Sequence, residues 1–207
     1  MKIVIFDFDG VIVDSFTFCH RISNSISEVT QDEYRSRFEG NINDATQKAC
    51  AHLPPSEINF SAEYDKEIVK CVPHAEIVEA IKELLKNYQL AIISSTDSWS
   101  IDEFLKSHGI RECFSDILGN DVDKSKVKKI NMLFAKYSVL PADMIFITDT
   151  LGDIKEAKHC NVASIGVTWG FHKKERLQKE KPYKIIDDKK HLMDAVNGYF
   201  KVGESLV

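Results

Sequence analysis

The stretch Ile3-Val4-Ile5-Phe6-Asp7-Phe8-Asp9-Gly10-Val11 decides the fold. Its first four residues are apolar and mostly β-branched, and the run ends abruptly in acid. A continuous apolar run of this length, closed by a turn signal, reads as a strand buried on both faces. Asp7 then stands at the strand's carboxyl end, the edge where open α/β sheets place their ligands. Asp9 follows two residues on, so both carboxylates can enter one crevice across the bend. Gly10 lets the chain turn where a side chain would crowd it. Two carboxylates this close repel unless a cation or a proton lies between them. The pattern suits Asp7 to nucleophilic attack and Asp9 to general acid and base work. Mg²⁺ is the hard cation that would make the pair tolerable. The competing reading is a turn with capping side chains, since Asp is a common turn residue. Other groups reaching the same crevice would decide between the two.

Outward from this strand the chain changes character twice. From Phe16 to about Cys71 strand-like runs disappear. Phe18, Ile22, Ile26 and Val29 recur at helical spacing, with Asp14-Ser15 as cap candidates before them. Tyr34 and Phe38 mark a second helical piece, and Ala45 and Ala49 a third. Pro54-Pro55 interrupts, and a fourth piece runs from Ser56-Glu57 through Tyr64 and Ile68. After Pro73, helix and strand alternate. Helices are expected around Ile77–Leu85, Trp99–Leu105, Lys124–Tyr137, Gly152–Cys160 and Leu192–Tyr199. Strands are expected at Leu90–Ile93, Phe114–Leu118, Met144–Ile147, Val162–Val167 and, at the edge, Lys184–Ile186. This order means a mainly parallel sheet with right-handed crossovers. The expected fold is therefore α/β: a Rossmann-like three-layer core, residues 1–15 and 73–207, with a small all-helical cap, residues 16–72, inserted after the first strand.

Composition bounds the function. At 207 residues, 43% apolar and 29% charged, the chain reads as an ordinary globular protein with room for a core. A formal charge of −5 argues against nucleic-acid binding. No apolar run approaches a membrane span and no signal segment opens the chain. The five cysteines, Cys19, Cys50, Cys71, Cys113 and Cys160, show no metal or redox spacing, which points to buried thiols and a cytoplasmic setting.

Three of the expected strands end in similar chemistry. The first ends in Asp7 and Asp9, the second in Ser94-Ser95-Thr96, and a later one in Asp149, with Asp153 four residues on. In a parallel sheet these ends share one edge. Ser94 and the amides after it can face an anion, or can cap the next helix. Asp149 and Asp153 supply the oxygens of a cation site, or else cap a helix. Of Lys124, Lys126, Lys128 and Lys129, one near the helix start can reach the crevice and hold a phosphoryl oxygen, while the others read as a solvated face.

Asp7-Phe8-Asp9-Gly10-Val11, the strand-ending Ser94, a lysine after Gly119-Asn120-Asp121, and Asp149-Thr150-Leu151-Gly152-Asp153 resemble, in that order, the four motifs of the haloacid dehalogenase-like superfamily. The nearer likeness is to its phosphoglycolate phosphatase and β-phosphoglucomutase branch, and it covers essentially the whole chain. The resemblance implies an aspartyl-phosphate intermediate. It implies Asp7 as nucleophile and Mg²⁺ ligand, and Asp9 as acid/base with its carbonyl on the metal. Ser94, with the Ser95 amide beside it, would bind phosphate. Asp149 would be a direct ligand and Asp153 an outer one. Counting back from Tyr137-Ser138 selects Lys124 as the catalytic lysine, with Lys126 the alternative. Gly10, Ser95, Thr96 and Lys126 complete the expected substrate-binding groups. The chain departs from the pattern at Lys124-Ser125-Lys126-Val127, where relatives have Lys-Pro, and at Thr148, where they often have glycine.

The reaction expected is Mg²⁺-dependent hydrolysis of a small phosphorylated metabolite, by a monomer or weak homodimer. A phosphomutase on the same core is the alternative, and a non-catalytic phosphate-binding module a further one. A dehalogenase would need neither Asp9 nor Asp149 and Asp153. A phospho-accepting signalling domain would lack the helical insertion. Substrate choice should lie in the cap, where His20, Arg21, Arg35, Arg37 and Lys48 are polar enough to reach a substrate's tail, although each alone reads as solvated. Trp169-Gly170-Phe171-His172 would line the entrance or pack as an aromatic cluster. Cap closure implies hinges near Ser15 and Val72.

Overall fold

A computed structural model describes residues 1–51 and 56–204. Strand β1 (Ile3–Phe6) is followed by the helices α1 (Phe16–Ile26), α2 (Gln31–Ser36), α3 (Ile42–Cys50) and α4 (Phe60–Ile68). Then come α5 (Ala75–Leu84), β2 (Gln89–Ile93), α6 (Ser98–Ser107), β3 (Asp116–Leu118) and α7 (Lys126–Tyr137). The chain closes with β4 (Met144–Thr148), α8 (Leu151–His159), β5 (Ala163–Val167), α9 (Lys174–Leu177), β6 (Lys184–Ile186) and α10 (Leu192–Glu204). The sheet order is β3-β2-β1-β4-β5-β6, and every pairing is parallel. The order reverses beside β1, which places the crevice at the carboxyl ends of β1, β2 and β4.

Alternation along β1 explains the layers. Val4 and Phe6 face one side, with Ile77 and Ile81 of α5, Ile101 and Phe104 of α6, and Val196 of α10. Ile3 and Ile5 face the other, with Ile130 and Leu133 of α7 and Ala157 of α8. All four β1 residues are fully buried, as a central parallel strand requires.

The cap lies between β1 and β2. Phe18 and Ile22 of α1 meet Tyr64 and Ile68 of α4 in the same apolar cluster. The Phe18 and Tyr64 rings stand 5.4 Å apart. A capping box at Thr30 and Glu33 starts α2, and Asn41 caps α3.

Two expected boundaries move and one expected cap fails. Ser15 stands at the start of α1 but makes no capping bond. Its backbone is near-helical (φ −107, ψ −8), not extended as a capping residue's typically is, and its buried hydroxyl finds no hydrogen-bond partner among the described residues. Helix α4 begins at Phe60, because Asn59 accepts from the Ala62 amide, while the Ser56 hydroxyl only closes a turn with Ile58. Helix α7 begins at Lys126, not Lys124, because Ser125 caps it. The Pro54-Pro55 interruption lies outside the described residues.

Candidate active site

The edge of the sheet gathers the acids. Asp7 leaves β1 with its amide still bonded to the Ile147 carbonyl of β4, so its position is set by the ladder. One Asp7 oxygen accepts from the Phe8 amide at 2.7 Å, and the other from Lys126 Nζ at 2.8 Å. The same ammonium donates to Asp153 Oδ2 at 2.7 Å. Lys126 is only 3% exposed, so this bridge is a buried one. The lysine beside Asp7 is therefore Lys126. Lys124 is exposed at the cavity rim, its carbonyl accepting from Asn41. The reason is helix phase: Ser125 as cap makes Lys126 the first helical residue and turns it inward.

Thr148, standing where glycine is common, donates its hydroxyl to Asp153 at 2.7 Å. Thr150, rather than either aspartate, caps α8. Asp149 is fully buried, with one oxygen accepting from the Phe171 amide at 2.7 Å and the other without a hydrogen-bond partner among the described residues.

The electrostatics follow from burial. Burial pushes the Asp7 carboxyl well up, more than Lys126 pulls it down. Burial also lifts Asp149 to about 7 against the Phe171 N–H. Asp153 is pushed up by burial too, but Lys126 and the surrounding hydrogen bonds outweigh this and hold it at about 2. Lys126 in turn is held charged by Asp153 and Asp7 against its own desolvation. One ammonium thus serves three buried carboxylates, and Asp153 takes the larger share of it.

Asp9 is tied at both oxygens, to Tyr64 OH at 2.8 Å and to Thr96 Oγ1 at 2.6 Å. Thr96, expected to bind substrate, thus spends its hydroxyl on Asp9. Ser94 is buried beside it, and its hydroxyl accepts from the Thr96 amide at 3.1 Å. Ser95 lines the cavity. Gly10, also expected at the substrate, instead packs under the site. Its φ is +72, and a Cβ there would collide with the Asp149 carboxylate. One cavity of about 540 Å³ joins Asp7, Asp9, Ser94, Ser95, Thr96, Lys124, Lys126 and Asp153 to the cap.

Three contributors were read otherwise from the sequence: Tyr64 as part of an apolar helix face, Lys129 with the solvated lysines, and His172 with an entrance or packing cluster. Tyr64 comes from the cap, and only the fold brings it to Asp9. Lys129 is fully buried and donates to the Ser94 and Gly119 carbonyls at 2.6 and 3.1 Å. Burial and the neighbouring Lys126 push it down to about 8. His172 accepts from the Leu151 amide at Nδ1, so its Nε2 carries the proton and donates to Arg35 O at 2.8 Å. This links the core to the cap. Phe171 is the aromatic plug between them, 5.1 Å from the Phe16 ring and 4.8 Å from Phe38.

No three His, Cys, Asp or Glu side chains among the described residues converge tightly enough to hold a metal by themselves. Mg²⁺ does not need three: it is commonly held by one or two carboxylates, with water and phosphate oxygens completing the shell. Asp7 and the unpartnered, buried oxygen of Asp149 fit that requirement, and a further positive charge would relieve both raised carboxyls.

The sequence pattern of the haloacid dehalogenase-like hydrolases matches residues 4–167, and the chain belongs to that family. The chain matches curated relatives named phosphoglycolate phosphatase. It is 24% identical over 207 residues to one from Synechococcus elongatus, covering 95% of this chain and 97% of that protein. It is 31% identical over 124 residues to one from Vibrio vulnificus, covering 58% and 54%. The CbbY protein of Rhodobacter sphaeroides, solved in complex with phosphate, superposes with a TM-score of 0.78 at 15% identity, covering 95% of this chain and 99% of that one. That likeness is one of fold. The chain is thus an enzyme, a hydrolase with phosphatases as its curated relatives. Among the described residues no helix is long and apolar enough to cross a membrane.

Proposed function

We propose that this chain is a Mg²⁺-dependent phosphomonoesterase that hydrolyses a small phosphorylated metabolite through an aspartyl phosphate on Asp7. The observation carrying this reading is the buried Lys126 ammonium bridging Asp7 and Asp153 in the wall of a cavity that also holds Asp9 and Ser94. Residues 1–15 and 73–207 act as the catalytic core, and residues 16–72 as the cap.

An Asp7 oxygen attacks phosphorus while the ester P–O bond breaks, and Asp9 gives its proton to the leaving alkoxide. Asp9, now a carboxylate, takes a proton from water as that water attacks the aspartyl phosphate. The bond from phosphorus to Asp7 breaks, phosphate leaves, and Asp9 has its proton back. Tyr64 and Thr96 hold Asp9 in place for both transfers. Lys126 steadies Asp7 and the charge on the transferring oxygens, with the Ser94 hydroxyl and the Ser95 amide. Asp7, Asp149 and the Asp9 carbonyl would hold the Mg²⁺, with Asp153 in support, and the ion would supply charge neutralisation at the phosphoryl oxygens. Closure of the cap over the core would keep bulk water from the cavity. The protein is expected to work as a cytoplasmic monomer or weak homodimer.

The test is phosphate release from a panel of phosphomonoesters with Mg²⁺ and with EDTA, for the wild type and Asp7→Asn. Release that needs Mg²⁺ and vanishes in a folded Asp7→Asn protein is expected. Release by Asp7→Asn at the wild-type rate would refute the nucleophile.

A further inference from the structure

Of the five cap residues able to reach a substrate, four are already engaged elsewhere or lie away from the cavity. Arg21 pairs with Glu67 at 2.9 Å. Arg35 donates to the Phe171 carbonyl, and its guanidinium carbon lies 3.8 Å from the Phe16 ring centre. His20 bonds the Val29 carbonyl, and Lys48 is exposed and off the cavity wall. Arg37 is different. It lines the cavity between the core acids and the cap, together with Ile26, Tyr34, Phe38 and Phe60.

Arg37 has no carboxylate partner among the described residues. Its Nη1 donates to the Ser23 hydroxyl at 3.0 Å, and its guanidinium carbon lies 5.8 Å from the Tyr34 ring centre. Glu33 feels its charge, but Glu33 is exposed and closes its own capping box with Thr30. The other acids of the cavity's cap side are Asp44, exposed in the first turn of α3, and Glu156 of α8, which accepts from the Lys126 amide. A guanidinium presents a planar fork of donors suited to carboxylate or phosphate, and here most of that fork is unspent.

Size adds a second constraint. About 540 Å³ falls in the range of cavities that enclose drug-sized ligands. A two-carbon phosphorylated acid would leave most of it to water. The apolar wall of Ile26, Phe38 and Phe60 calls for a body with carbon to bury.

We propose that the substrate is a phosphate monoester whose body is longer than a two-carbon acid and whose far end carries a second anionic group, carboxylate or phosphate, held by Arg37. This rests on the phosphatase reading and specifies its substrate class. Arg37 is then the specificity-determining residue of the cap. The two sources of the anion are separable, since a sugar acid and a sugar bisphosphate present different groups to the same fork.

The experiment measures kcat and KM for matched esters with Mg²⁺. Phosphogluconate is set against sorbitol phosphate, fructose bisphosphate against fructose monophosphate, with phosphoglycolate as the short anion and p-nitrophenyl phosphate as the generic ester. In at least one pair the doubly anionic member is expected to win by about tenfold or more in kcat/KM, mainly through KM, as a charge-assisted contact would give. The winning pair identifies the group. Arg37→Gln should shrink that ratio to about two, and Arg37→Lys should keep an intermediate ratio, because the charge stays and the fork goes. Calorimetric binding of phosphogluconate and of fructose bisphosphate to Asp7→Asn, with and without Arg37→Gln, gives the same comparison without turnover. A wild-type ratio near one in both pairs, an unchanged ratio in a folded Arg37→Gln, or phosphoglycolate surpassing every longer ester would each overturn the inference. If p-nitrophenyl phosphate is hydrolysed and the ratios are flat, this inference falls alone. If no ester is hydrolysed, the phosphatase reading falls and takes it along.

Discussion

Replacing Asp149 by Asn removes one buried charge and leaves the side chain's shape nearly intact. In the metal-free protein this carboxyl is raised from 3.8 to about 7, chiefly by burial. Between those two values the folded state binds more protons than the unfolded one, so stability falls as pH rises through the window and is flat outside it. At about 1.4 kcal/mol per pH unit, the loss between pH 4 and pH 8 is about 4 kcal/mol. Other groups titrate too. His172 and His74 are both pushed down, foremost by burial, and act in the opposite sense. The histidines are common to both proteins and cancel in the difference. Asp7, also raised, acts in the same sense as Asp149 and is pushed up partly by it, so the substitution relieves Asp7 too and deepens the wild type's relative loss. Urea unfolding in EDTA from pH 4 to pH 8 measures it. The wild type should lose about 4 kcal/mol relative to Asp149→Asn across that range. At pH 8 the variant should be the more stable, by that amount less about 1–3 kcal/mol for an amide N–H left without an acceptor. Adding Mg²⁺ should raise the wild type and move the variant far less, because only a folded site binds the ion. A stability difference that is flat or rising with pH would refute the buried, destabilised carboxyl and with it the fit to a cation.

Lys126→Met strands Asp7 and Asp153, and should cost about 3–5 kcal/mol of stability unless the acids take up protons. It should also lower kcat by at least about a hundredfold, as loss of a charge stabiliser does. Lys124→Met should stay within about threefold on kcat and within about 0.5 kcal/mol, as exposed positions do. Steady-state kinetics and denaturant midpoints read both; equal effects would reverse the assignment. Gly10→Ala places a methyl against Asp149 at a backbone φ of +72, and should cost more than about 1 kcal/mol along with most of the activity. A melting temperature and rate unchanged from wild type would refute the close approach.

The helical cap, the parallel core and the acids at strand ends were legible because each is a local pattern. Ile3–Phe6 is apolar without a break and stops at Asp7. Asp149 and Asp153 follow a second such run, Met144–Ile147. The choice between Lys124 and Lys126 was not legible, since two lysines two residues apart on a helix start differ only in phase. That phase was set by the Ser125 hydroxyl. Thr96 and Gly10 were assigned to substrate from position alone. Their neighbours, Asp9 and Asp149, are 87 and 139 residues away along the chain.

By itself the sequence determined which residues end strands, which face the core and where helices interrupt the alternation, because periodicity and turn chemistry act over a few residues. Only the tertiary structure decided which groups touch. Tyr64 reaches Asp9, Phe171 seals Asp149, His172 ties α8 to the cap, and Arg37, bonded to Ser23, has no carboxylate partner among the described residues. Those contacts join segments distant along the chain. Their energies depend on burial and on the company of other charges, and neither exists until the chain has folded.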